Sequence, residues 1–308
     1  MIPPKVKLNS LLLNCVSCPR RCQVNRYECV GFCKVGADVQ VSHIGLHYGE
    51  EPPISGTKGS GAIFFSGCNL RCVFCQNFQI SQLCNFHNRG LSVDELADEF
   101  VRIQDTGAHN VNLVSPSHVI PQLSMAIAKA KEEGLCIPVV YNSSGYDSIT
   151  GLQLLRGLVD IYLPDIKYMN KNLAFRYSGV HDYADIIPGV LWEMFEQVGL
   201  LRTDEQGIAL SGILVRHLVL PGQLENSKKC LYLLASISKE IMVSIMSQYS
   251  PCHRAGEFPE IDRPLYETEY REIVDYAIEL GLENAFIQDI SSQDIYQPDF
   301  DRPQPFVL

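Results

Sequence analysis

No run of apolar residues in this 308-residue chain approaches the roughly 20 positions that a membrane-spanning helix requires, so no contact with a membrane is expected. The start, Met1-Ile2-Pro3-Pro4-Lys5-Val6-Lys7, lacks the unbroken apolar segment and small-residue cleavage site of a secretory signal, and a cytoplasmic location is expected. Basic residues are scarce: 25 Lys and Arg stand against 35 Asp and Glu, a net charge of −10. A general attraction to nucleic acid is therefore not expected. Twelve cysteines would suggest a disulfide framework in a small secreted protein, but this chain is long and nine of the twelve lie between Cys15 and Cys84. Such crowding reads as metal binding. Of the isolated three, Cys136, Cys230 and Cys252, the first two read as small buried hydrophobes.

What is present is ample core material, with 46% of residues apolar, enough for one large α/β domain plus an appendage. From Gly61 onward, short β-branched or aromatic runs alternate with stretches of helical period, the pattern of repeated βα units around a parallel sheet. Strands are expected at Ala62–Ser66, Asn110–Ser115, Ile137–Tyr141, Val159–Leu163, Ile213–Leu220, Ile241–Met246 and Ala285–Gln288. Ser92 and Glu95 form a capping-box pattern ahead of a helix carrying Leu96, Ala97, Phe100, Val101 and Ile103. A second apolar face runs through Ile120, Leu123, Ile127 and Ala130, and Gly134 is placed to end it. Further helices are expected over Ile186–Val198, Glu225–Lys239 and Pro264–Leu280. Six or seven such units can close, or nearly close, into a (β/α) TIM-like barrel, whose reactive residues sit beyond the C-terminal ends of the strands. The division expected is a Cys-rich module at 1–58 and a barrel domain at 59–308.

Those strand ends carry the unusual residues. The first delivers Cys68-Asn69-Leu70-Arg71-Cys72-Val73-Phe74-Cys75, three thiols in one tight turn. Thiolates select zinc or iron–sulfur clusters, and a closed site of either kind wants four protein ligands. Three cysteines on a [4Fe–4S] cube leave one iron open, where chemistry can happen. Cys84 is the fourth ligand that a closed site would need. The second strand leads to Ser115-Pro116-Ser117-His118, the third to Asn142-Ser143-Ser144-Gly145, the fourth to Asp165-Ile166-Lys167. Arg216 and His217 alternate on a strand, so only one of them points inward; the apolar partners Ile213, Val215 and Val219 leave open which.

The C-x3-C-x2-C spacing, with Gly67 before it and an aromatic residue before the last cysteine, resembles the signature of the radical S-adenosylmethionine (SAM) superfamily. Extended through Cys75-Gln-Asn-Phe-Gln-Ile-Ser-Gln, the chain resembles the branch related to pyruvate formate-lyase-activating enzymes. The Cys15-to-Arg26 stretch, Asn112–His118, Tyr162–Tyr168 and Arg216–Gly222 look like a subgroup of that branch. The resemblance implies a radical SAM barrel in which Cys68, Cys72 and Cys75 hold a [4Fe–4S] cluster and SAM chelates the open iron. Reductive cleavage would then give a 5′-deoxyadenosyl radical. It places Phe74 near the adenine, Asn142 near the ribose or methionine moiety, and Asp165 and Lys167 beside SAM. No side chain need serve as acid or base in the first step. The Gly-Gly-Glu segment that meets the SAM amino group in activating enzymes is replaced here by Ser115-Pro116-Ser117-His118, where serine oxygens or His118 would have to substitute. The implied partners are an electron donor such as flavodoxin or ferredoxin and a substrate, which is a glycyl radical enzyme, another peptide or a small molecule. The competing reading is a non-catalytic iron–sulfur electron-transfer protein. Cys15, Cys18, Cys22 and Cys33 best match the subgroup's second thiol set, a site for zinc or an iron–sulfur cluster, with Cys29 spare; Arg20, Arg21 and Arg26 would favour thiolates there.

Overall fold

In the computed structural model, which describes residues 10–83, 90–294 and 297–306, nine strands form one sheet. They are β1 (Val41–His47), β2 (Ser60–Phe65), β3 (Val111–Val114), β4 (Val139–Ser143), β5 (Ile161–Pro164), β6 (Arg202–Thr203), β7 (Ala209–Leu218), β8 (Met242–Met246) and β9 (Ala285–Ile287). The order is β1-β2-β3-β4-β5-β7-β8-β9, with β6 branching from β7. From β2 through β5, β7, β8 and β9 every pairing is parallel, as βα alternation requires. The sheet curls but stays open, because among the described residues β1 and β9 are not paired.

The helices are α1 (Pro52–Ser55), α2 (Val93–Asp105), α3 (Ile120–Glu132), α4 (Ile149–Leu155), α5 (Lys171–Ser178), α6 (Tyr183–Val198), α7 (Leu224–Ile237) and α8 (Glu267–Glu279). Ser92 caps α2 through the expected reciprocal bonds with Glu95, which satisfies two otherwise orphaned N–H groups. The face Leu96, Ala97, Phe100 and Ile103 is buried as its spacing predicts. Helix α8 starts three residues later than expected, at Glu267, because Glu269 reaches back to the Tyr266 N–H and pairs with Arg263. None of the described helices is long and apolar enough to cross a membrane.

Two features position the site. Strand β1 joins the sheet antiparallel to β2, so the sheet begins within the stretch read from sequence as the N-terminal module. The turn from β1 to β2 carries α1 into the base of the barrel, where Ile54 packs with Val140, Ile161, Leu163 and Leu214. That apolar plug closes the floor. On the open side, Phe300 and Phe306 of the C-terminal strap pack on Phe64, the first edge-on and the second tilted, with centroids 5.4 and 5.1 Å away. The strap is tied by Gln79, which donates to Asp299 at 3.0 Å and accepts from the Phe300 N–H at 2.9 Å.

Cys230 is fully buried in α7 as expected, but Cys136 is exposed. It lies in the turn before β4, where its N–H is held by Gln104 at 2.7 Å, and the apolar neighbours that would cover a thiol belong to the strand that follows.

Candidate active site

Strand β2 ends at Phe65 and the chain reverses through Gly67 at φ +78°, a left-handed conformation that glycine adopts without strain. A Cβ there would stand 2.3 Å from the Cys33 carbonyl oxygen, so the turn also needs glycine for close approach to the N-terminal segment. The following loop is pinned by neighbouring backbone: the Val73 N–H donates to Tyr177 O at 2.8 Å, and Val73 O accepts from the Arg254 N–H at 2.9 Å. Arg20 adds a guanidinium bond to Asn69 O at 2.8 Å. Each sulfur meets a polar hydrogen or hydroxyl. Cys68 Sγ accepts from the Leu70 N–H at 3.3 Å, Cys72 Sγ from Ser178 Oγ at 3.0 Å, and Cys75 Sγ lies 3.3 Å from Ser81 Oγ.

Cys68, Cys72, Phe74, Cys75, Asn142, Asp165 and Lys167, scattered over a hundred residues of sequence, all line one cavity of about 560 Å³. Phe74 is held edge-on between Tyr177 and Tyr249. Lys167 Nζ donates to Asp165 Oδ2 at 2.7 Å. Burial alone would depress the Lys167 ammonium, but Asp165 holds it above its ordinary value. Burial pushes the Cys72 thiol up against the opposing pull of Lys167 and Ser178, and pushes Cys75 up to about 12. Without a metal both are therefore thiols at neutral pH.

Arg216 is the inward residue of its pair. It faces Glu50 and Glu51 on the turn above α1, with Nε 2.9 Å from Glu51 Oε1 and Nη2 shared by both carboxylates. Glu50 also accepts from Asn112 Nδ2 at 2.8 Å and Asn142 Nδ2 at 3.5 Å. Burial would raise the Glu51 carboxyl, but Arg216 and Ser244 hold it below its ordinary value. His217 points the other way, fully buried, with Nδ1 2.7 Å from Ile166 O.

Comparison with known proteins gives a match to the radical SAM superfamily model over residues 62–198. An uncharacterized protein of Methanocaldococcus jannaschii, MJ0674, is 32% identical over 280 residues, 89% of this chain and 77% of that one. The chain belongs to the radical SAM superfamily. Solved structures to which this chain is similar include Streptococcus suis SuiB bound to S-adenosylmethionine (12% identity, TM-score 0.49, 76% of this chain and 52% of that one). A domain of pyruvate-formate lyase-activating enzyme from Bacteroides vulgatus is also similar (13% identity, TM-score 0.40, 55% of this chain and 91% of that one). The chain spans about half the length of the Streptococcus suis protein.

A radical SAM protein uses a [4Fe–4S] cluster and SAM, and the residues present suit both. The donor set is three soft sulfurs on one loop, each already beside a polar group. Among the described residues no three His, Cys, Asp or Glu side chains close around a single-ion position; a cube takes its thiolates at separate irons, so such convergence is not required of this loop. The cavity volume lies in the range of small-molecule sites, with charged groups of both signs on its wall. Ser115, at φ +60°, lines it.

His118 does not reach the cavity. It is buried with Nε2 2.9 Å from Ser66 O, its own carbonyl accepts from Arg26 at 2.6 Å, and burial together with Arg26 pushes it down to about 3. It braces the turn before Cys68 instead of offering a bond to SAM. Cys84 lies outside the described residues. Glu50 and Glu51 escaped the sequence reading, although two adjacent acids before Pro52, flanked by apolar segments, were the signal available.

Behind the loop, Cys15, Cys18 and Cys33 are buried and Cys22 is half-buried. Cys18 is pushed up to about 12 by burial, with Cys33 and Cys15 adding to it, and Cys33 is raised by burial with Cys15 and Cys22 adding. Cys18 and Cys33 are thus coupled to Cys15, and Cys33 to Cys22, although among the described residues no three of them close around a single ion. Cys22 Sγ accepts from the Phe32 N–H at 3.3 Å, whereas Cys29 is exposed and its thiol donates to Asn25 O at 3.4 Å.

Proposed function

We propose that Cys68, Cys72 and Cys75 hold a [4Fe–4S] cluster with one iron left to SAM, and that the chain is an enzyme that cleaves SAM reductively and abstracts hydrogen from a substrate in the adjoining cavity. The observation that carries this is the meeting of the three-cysteine loop with Phe74, Asn142, Asp165 and Lys167 on one cavity wall. Bound there, the cluster would supply the one electron that reductive cleavage of the SAM sulfonium requires. The chain's own residues bind, orient and exclude water. Phe74, clamped by two tyrosines, offers a flat apolar face to the adenine. Asn142 offers an amide to the ribose or methionine end, and Asp165 and Lys167 offer one charge of each sign to the amino and carboxylate groups. The plug below and the strap at the side keep water from a reactive intermediate.

Activation of a glycyl radical enzyme, or modification of another peptide or a small molecule, falls within this reading, with flavodoxin or ferredoxin as the class of electron donor. Cys15, Cys18, Cys22 and Cys33 are proposed to bind a second metal, as zinc or an iron–sulfur cluster. The burial of Cys15, Cys18 and Cys33 and their electrostatic coupling support this, while Cys29 is exposed.

The test is 5′-deoxyadenosine production from SAM by anaerobically reconstituted, dithionite-reduced protein beside its Cys72→Ala variant. Product from the unaltered protein alone is expected, with the variant's circular dichroism unchanged. Product from both would overturn the assignment of the loop. Iron and zinc analysis of a Cys68→Ala/Cys72→Ala/Cys75→Ala variant reads the second site by itself.

A further inference from the structure

Residues 10–36 and 67–83 together carry five basic side chains, Arg20, Arg21, Arg26, Lys34 and Arg71, against the single acid Glu28. In a chain of net charge −10 these two segments therefore stand at +4, and everything else at −14. Arg26 is buried and turned to the His118 carbonyl, but Arg21 and Lys34 are exposed and Arg20 and Arg71 half-buried. These four charges are not cancelled. Arg20 gives its N–H groups to the main-chain carbonyls of Asn69, Leu70, Ser178 and Gly179, and among the described residues no carboxylate forms an ion pair with any of the four. Arg254, which meets the same loop at Val73, is by contrast spent on Glu257.

Apolar surface lies among these cations. Tyr27, Val30 and Phe32 are 54%, 53% and 39% exposed. Phe32 has the guanidinium of Arg20 3.7 Å and that of Arg71 5.3 Å from its ring centre, so the trio joins the N-terminal segment to the cysteine loop in one patch. The direction it faces decides what it serves. None of residues 10–36 lines the cavity, and neither does Arg71, although Leu70 and Cys72 on either side of it do. A partner seated here stands behind the cysteines and cannot place a hydrogen atom in the cavity for abstraction. An electron needs no such contact.

We propose that the patch of Arg20, Phe32 and Arg71, flanked by Arg21 and Lys34, is the docking surface for a small acidic protein that carries one electron at a time on a flavin or an iron–sulfur centre. This rests on the enzyme reading above and deepens it by giving the donor a place. The reduced carrier gives up one electron, and the cluster on Cys68, Cys72 and Cys75 gains it. Arginine and aromatic side chains around an apolar centre are the composition of protein interfaces. The local positive charge draws an acidic partner in against the repulsion of the chain as a whole. Four cations in a chain this acidic make a poor track for nucleic acid, whose affinity grows with the number of phosphates neutralised.

The probes are a flavodoxin and a [2Fe–2S] ferredoxin, both acidic and both kept oxidised so that no electron moves, titrated by biolayer interferometry against the reconstituted full chain at about 20 mM salt, where screening is weak. At least one is expected to bind. Arg71→Glu and Arg21→Glu/Lys34→Glu should each weaken that binding about fivefold or more, mainly through slower association, and the loss should shrink below about twofold at about 0.5 M salt. The exposed control Lys58→Glu, in the turn that leads into the opposite end of β2, should stay within about twofold. Iron content checks that each variant holds its cluster, and the double variant touches no residue of the cysteine loop, so it tests the patch even where Arg71→Glu does not load. Dithionite, a small reductant that needs no docking, should drive 5′-deoxyadenosine formation within about twofold in all four proteins. Failure of the enzyme reading shows there, and failure of this one shows in the binding. The proposal is overturned if neither carrier binds, if binding is indifferent to the substitutions, or if Lys58→Glu costs as much as they do. It is equally overturned if a single-stranded RNA oligomer binds more tightly than either carrier at the same salt, which would make the patch a nucleic-acid face.

Discussion

Replacing Arg216 by Met keeps the stem that packs along the cavity wall and deletes the cation between Glu50 and Glu51. Breaking a buried pair by removing one partner costs about 3–5 kcal/mol, because the other partner is left charged and desolvated. Here two carboxylates are left. For a chain of this size about 2 °C of melting temperature goes with each kcal/mol, so Arg216→Met should melt about 6–10 °C below the unaltered protein at pH 8. The pH dependence gives a sharper test. In the unaltered protein Glu51 is depressed by Arg216, so its stabilisation is present above the carboxylate's unfolded value and lost only as pH falls through the lower folded value. Without Arg216 the burial that opposes ionisation acts alone, the folded carboxylates bind protons more tightly than the unfolded ones, and stability is lost as pH rises. The gap in melting temperature between variant and unaltered protein should therefore narrow from pH 8 to pH 5. As a control, Glu50→Gln/Glu51→Met/Arg216→Met, which removes the charges together, should recover most of the loss. A gap under about 2 °C at pH 8, or one that widens in acid, would refute the reasoning.

Two more perturbations follow from the site's surroundings. His118 and His217 are held neutral by burial, pushed down to about 3 and about 4, while the unfolded chain binds their protons near pH 6.5. Stability should therefore fall as pH drops from 6.5 toward 4, and melting curves of His118→Gln/His217→Gln should show a shallower acid slope than the unaltered protein. In Gly67→Ala the φ of +78° and a Cβ at 2.3 Å from Cys33 O should cost more than about 2 kcal/mol, seen as a lower melting temperature and faster proteolysis within residues 10–40. Normal behaviour of that variant would mean that the N-terminal segment is not seated on the cysteine loop.

The parallel sheet was legible because its strands are short apolar runs set off by turn residues, each recognisable within its own window. Strand β1 was not: Val41-Ser-His-Ile-Gly-Leu-His47 places histidines and glycine at alternate positions, and their apolar partners, Phe64 and Phe306, come from elsewhere in the chain. Helices α4 and α5, at seven and eight residues, are too short for a periodic face to stand out, though Ser148 and Asn170 cap them. The cysteine loop is a local motif and could be read at sight. The pairing of Glu50 with Arg216 spans 166 positions, and nothing local to either residue announces it.

That long-range charge layer bears on what the cavity is for. Directly beneath it, Ile54, Val140, Ile161, Leu163 and Leu214 fill the base of the same barrel with apolar side chains, so the fold has no difficulty building a dry interior there. One layer up the interior changes to Glu50, Glu51, Arg216, Asn112 and Asn142. A buried ion pair is weak evidence for stability, since apolar residues of similar volume commonly do as well or better. The charges are thus poorly explained as scaffold. Glu50, Glu51 and Arg216 lie on the cavity that the cysteine loop also lines, and their signs do not cancel.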